Sequence, residues 1–107
     1  MKDKFITVLT TTDKKEEAEK IASHLLRKRL VGCVQIIGPI TSSYWWKGSI
    51  ETAEEWLCLM KTEESLYAQI EEVIKEIHSY DVPEVVALPI IKGSEEYLRW
   101  LDEELKK

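Results

Sequence analysis

The chain has 107 residues, 44% hydrophobic and 33% charged, enough for one folded domain and too few for two. Its formal net charge of -5 opposes phosphate backbones, which argues against a nucleic-acid partner. No apolar run approaches a membrane span, and Met1-Lys2-Asp3-Lys4-Phe5 lacks the apolar stretch of a signal peptide, so no membrane association is expected.

The first strand is predicted over Phe5 to Thr11, rich in β-branched residues. Asp13 with Glu16 three residues on reads as a capping box opening a helix that runs to about Arg29. Ala18, Ile21, Ala22, Leu25 and Leu26 form its apolar stripe. A second strand spans Val31 to Trp46, interrupted at Gly38-Pro39. Lys47-Gly48-Ser49 reads as a hairpin turn into a third strand over Ile50 to Lys61. Thr62, Glu63 and Glu64 suit a helix start, and Leu66, Ile70, Val73, Ile74 and Ile77 give that helix its buried stripe. Ser79 to Pro83 breaks it. A fourth strand follows over Val85 to Ile91, and Gly93-Ser94 caps a terminal helix. The order is βαββαβ plus one helix, which predicts an α+β, ferredoxin-like sandwich in a single domain over 1–107. That topology puts the second and fourth strands at the sheet edges, where Pro39 and Pro89 are tolerated.

Two helices cover one face of such a sheet. The strands are nevertheless apolar on both faces, as in Trp56-Leu57-Cys58-Leu59-Met60 and Val85-Val86-Ala87-Leu88. The terminal helix is short, so further cover is expected from identical subunits. Tyr44-Trp45-Trp46 adds three large rings, with Trp45 facing opposite to the other two, and at least one belongs to an interface.

Cys33 and Cys58 fit no disulfide framework or CxxC motif, which points to a reducing cytoplasm. With a hairpin centred near Gly48, Cys33 would lie opposite a residue near Glu63 and Cys58 near Gly38, so the thiols do not pair. Both read most simply as small buried hydrophobes. His24 reads as a solvated surface residue. His78, beside Tyr80, Asp81 and Glu84, suits either a borderline metal or the negative end of the helix dipole. No P-loop, GxGxxG, HExxH or GxSxG is present, and Glu54 and Glu55 point to opposite strand faces, a poor acid–base pair, so an enzyme is not expected. The chain has no asparagine, two glutamines and abundant Glu and Lys, a composition that suggests thermostability.

Several segments together resemble the CutA family of divalent-cation tolerance proteins. They are Gly32-Cys33-Val34-Gln35-Ile36, Ser42 through Ile50, Glu55, Lys61-Thr62, His78 through Glu84, Leu88-Pro89-Ile90 and Tyr97 through Leu101. The resemblance implies a ferredoxin-like fold, a cytoplasmic homotrimer like that of PII signalling proteins with clefts between subunits, and tolerance to copper and other divalent metals. It places metal binding on Cys33 and His78. It lines the clefts with Tyr44, Trp46, Glu55, Lys61, His78 and Tyr80. The stretches Leu9 to Thr12 and Leu66 to Ile77, which carry cysteine in some relatives, hold none here. Ser79 stands where the family usually has proline, which is expected to loosen that turn.

The leading expectation is therefore a non-catalytic, trimeric metal-binding protein, with Cys33 and His78 as ligands and carboxylates assisting. The alternative is a PII-like regulatory sensor of a small metabolite or anion, in which Lys61 and Arg99 would matter more. An acylphosphatase of the same fold would require an asparagine, which is lacking. RNA binding on the open sheet is opposed by its aliphatic centre and the acidic charge.

Overall fold

The computed structural model describes residues 4–107; the reading of Met1, Lys2 and Asp3 as lacking a targeting signal lies outside the described residues. The elements are β1 (Phe5–Thr12), α1 (Lys15–Arg27), β2 (Cys33–Trp46), β3 (Ser49–Glu63), α2 (Tyr67–Ile77), β4 (Val86–Pro89) and α3 (Glu95–Glu104). The strands form one antiparallel sheet in the order β2-β3-β1-β4. This is the ferredoxin-like arrangement, and Pro39 and Pro89 do occupy the two edge strands.

Alternation along β1 and β3 sends Ile6, Val8, Cys58 and Met60 to one face, where they bury against Ile21 and Leu25 of α1 and Ile70 and Ile74 of α2. The other face carries Leu9, Leu57 and Leu59 half-buried and Ile37, Val86 and Leu88 exposed. α3 is docked against the chain by Leu101 and Leu105, by an ion pair from Lys4 to Asp102 at 2.9 Å, and by the Lys106 N–H donating to the Arg29 carbonyl at 2.7 Å. Ser94 caps α3 as expected, its hydroxyl accepting the Tyr97 N–H.

Three local expectations are corrected. Helix α1 starts later than Asp13: its N-cap is Lys14, without a side-chain cap bond, because the Thr12 hydroxyl donates to the Lys14 carbonyl and extends the turn. Thr62 does not start a helix. It is a buried strand residue whose hydroxyl donates to the Leu30 carbonyl at 2.6 Å, and a turn of 3-10 helix at Glu64–Leu66 leads into α2. The β2–β3 register also shifts between Ile37 and Ile40, so Cys33 faces Lys61 and Ile36 faces Cys58. Gly38 lies within this irregularity, and a Cβ there would lie 2.7 Å from Trp56 Cγ: the indole of the neighbouring strand fills the space a side chain would need.

Candidate functional site

β1 ends at Thr12, opposite Trp56, while β2 and β3 continue past it as a two-stranded arm. On the arm, Ser42, Tyr44 and Trp46 share a face by strand alternation, and Glu55, opposite Ile40, lies on that same face. The loop after α2 crosses the end of β1 and closes the other wall. Between arm and loop lies a cavity of about 680 Å³, lined by these residues together with Thr11, Tyr80, Asp81 and Glu84.

Glu55 sits at its base and is only 4% exposed. Its Oε2 accepts the Tyr80 hydroxyl at 2.7 Å. Burial, and then the adjacent Glu55 carboxylate, hold the Tyr80 hydroxyl protonated well above the ordinary tyrosine range. Among the described residues no donor reaches Oε1, and that oxygen is not a buried, unsatisfied atom: it keeps access to the solvent of the cleft.

His78 positions this wall. Its side chain is fully buried, Nε2 lies 2.7 Å from the Thr11 carbonyl, and Nδ1 accepts the Tyr80 N–H at 3.1 Å. Those partners require the neutral tautomer with the proton on Nε2. The ring also packs against Tyr80 at 4.7 Å between centroids. Ser79 does not loosen the turn: its N–H and hydroxyl donate to the two oxygens of Glu17 at 2.6 and 2.9 Å. Proline would lack that N–H, so the serine ties the loop to α1 in a way proline could not.

The structure brings Tyr44, Trp46, Glu55 and Tyr80 together in the cleft. Lys61 is not among its walls: it faces Cys33 across the β2–β3 ladder and bonds Gln35 Oε1. Cys33 and His78 are also separate. Cys33 reaches Thr7 through Lys61 across the sheet, whereas His78 contacts Thr11, about 13 Å further along β1 at the usual strand rise. Cys33 instead adjoins the Tyr97 hydroxyl, which burial and then this thiol push above its ordinary pKa. Cys58 is fully buried and its thiol is raised to about 11 by desolvation. With both His78 nitrogens already bonded, and no three His, Cys, Asp or Glu side chains converging among the described residues, one protomer does not fit a closed metal centre. Sequence reasoning missed the roles of Thr11, Ser79 and Glu17. Their signal was weak, since a backbone carbonyl and a surface-type Ser–Glu pair carry no motif.

Four strands in this order with two helices on one face define a ferredoxin-like α+β protein, and its site is an acidic, aromatic cleft. The chain belongs to the CutA1 divalent ion tolerance protein family, whose model matches residues 6–104. It is 43% identical over 96 residues to the divalent-cation tolerance protein CutA of Archaeoglobus fulgidus, covering 90% of this chain and 93% of that one. Against CutA of Thermus thermophilus it is 44% identical over 96 residues, with the same coverage of each. It spans 54% of the length of the chloroplastic CutA 1 of Oryza sativa, to which it is 44% identical. Among solved structures, CutA1 of Oryza sativa superposes with a TM-score of 0.94 at 40% identity, covering 99% of this chain and 97% of that one. The Archaeoglobus fulgidus protein, described as a periplasmic divalent cation tolerance protein, gives 0.92 at 40% identity, over 95% and 99% of the two chains.

Proposed function

We propose that the protein serves divalent-cation tolerance as a non-catalytic, cytoplasmic, thermostable homotrimer that binds copper or another divalent metal where protomers meet. The observation that carries this reading is Glu55. Its carboxylate lies at the base of the cleft with one oxygen held by the Tyr80 hydroxyl and the other open to the cleft's solvent, a charged oxygen ligand free to take a cation. A cation at Oε1 would take further oxygen ligands from the cleft wall and from a neighbouring protomer. The cytoplasmic setting is supported by two free thiols. The non-catalytic reading is supported by His78, the imidazole nearest the cleft, whose two nitrogens are committed to backbone partners and cannot activate a hydroxyl there.

Calorimetry with Cu(II) and Zn(II) tests the assignment. Glu55→Gln should abolish binding, while Cys33→Ser with His78→Ala should leave it within severalfold of wild type. The opposite pattern would return the metal to the Cys33 and His78 positions.

A second reading, a PII-like sensor of a small metabolite, is favoured by the size of the cleft. Its volume of about 680 Å³ is in the range of small-molecule sites and far above what one ion needs.

A further inference from the structure

The cleft reads as selective for charge and shape together. Its charged lining residues are Glu55, Asp81 and Glu84, and among the described residues no lysine, arginine or histidine stands in its walls. A phosphate or carboxylate ligand would meet three like charges, and the Lys47 ammonium stands at the outer end of the arm beside Trp46 rather than at Glu55, so the anion arm of the sensor reading is disfavoured here. At the base, Glu55 lines the cavity with little exposed surface, one oxygen bonded to Tyr80 and the other accessible to a solute in the cleft. Higher up, Tyr44 and Trp46 present large rings on the same face, both partly exposed. Trp46 already attracts an ammonium: Lys47 Nζ lies 5.7 Å from its ring centroid.

We infer that this cleft binds an organic cation, its ammonium seated on Glu55 and its alkyl body packed along Tyr44 and Trp46. The inference rests on the reading of the cleft as the sensor's ligand site. A buried carboxylate supplies the counter-charge, the rings supply cation–π attraction and apolar area, and the volume accommodates a body that a bare metal ion lacks. The ligand class is therefore an alkyl mono- or diammonium compound, with the neutral diol of equal length as its natural discriminator.

The test is calorimetry on the full chain with four probes: 1,4-diaminobutane, 1,4-butanediol, ATP and Zn(II). The diamine should bind, and the diol and ATP should not. Glu55→Gln should weaken the diamine roughly a hundredfold, as expected when a buried charge loses its partner. Trp46→Leu, an exposed position that leaves the core untouched, should weaken it about 3- to 10-fold. Zn(II) affinity should be indifferent to Trp46→Leu. If Zn(II) binds in a Glu55-dependent way while the diamine does not bind, the organic-cation inference is overturned and the cleft survives as a metal site. Binding of ATP, or equal binding of diol and diamine, would overturn the charge selectivity. If no probe binds, or binding ignores Glu55→Gln, the cleft itself is not the ligand site and both readings fall.

Discussion

Glu55 is held by a short relay of side chains, and each link fixes the next. Glu17 on α1 holds Ser79, His78 bonds the Thr11 carbonyl and the Tyr80 N–H, and Tyr80 donates its hydroxyl to Glu55. Removing the last link isolates its cost. Tyr80→Phe keeps the ring and its packing on His78 but leaves Oε2 of a buried carboxylate without a donor. We expect a loss of about 1–3 kcal/mol, seen as a lower urea midpoint at unchanged slope. A variant as stable as wild type would mean that water already solvates Glu55. The residue types at this site were readable in the sequence, since a tyrosine, a histidine and several acids lie close together in the loop. What they bond to was not. The choice of the Thr11 carbonyl by His78 depends on how α2 packs over β1, a tertiary fact that no local spacing encodes.

At the level of elements, the strand order and the helix stripes followed from periodicity, and the two edge prolines from the ladder's need for N–H donors. The boundaries that failed did so where a threonine hydroxyl took a backbone carbonyl, next door for Thr12 and from a distance for Thr62. Thr62 has the chemistry of a helix cap, but the Leu30 carbonyl takes its hydroxyl and holds it in β3. The register of the β2–β3 pair was misjudged by two residues: one because the turn centres between Lys47 and Gly48, where Trp46 faces Ser49, and one because the ladder shifts between Ile37 and Ile40, which no hairpin count reveals. Gly32 leaves room for α3. A Cβ there would lie 2.6 Å from Leu101 Cδ1, and Leu101 is fully buried. Gly32→Ala should therefore overpack the joint between β2 and α3 and cost about 1–3 kcal/mol. Adding Leu101→Ala should recover part of that loss, because the methyl then enters the space the leucine leaves. A double-mutant cycle by chemical denaturation reads the coupling directly, and strict additivity of the two changes would show that α3 docks elsewhere.

The molecule as a whole is longer than its chain length requires. Its radius of gyration is 14.4 Å, against about 13 Å for a compact domain of this size. The β2–β3 arm projects past the end of β1 and, among the described residues, has no third strand beyond Trp56. A two-stranded ribbon is marginal in water unless one face is covered. On the face opposite the cleft, Trp45 and Ile50 are paired across the ladder and are 72% and 63% exposed. Val86 and Leu88 leave a further apolar strip bare at the β4 edge. An isolated protomer thus leaves uncovered the surface that the proposed trimer would bury, at roughly 800 Å² per partner for a stable contact. Because Trp45 and Ile50 face away from Glu55, charging them should disrupt assembly while leaving the walls that this chain itself gives the cleft unaltered. Sedimentation equilibrium should give three chain masses for wild type and one for the Trp45→Lys, Ile50→Glu double variant, with its far-ultraviolet circular dichroism retained. A wild-type protein that sediments as a single folded chain would remove the assembly, and with it the metal site between protomers, while leaving intact a cleft whose described walls all come from one chain.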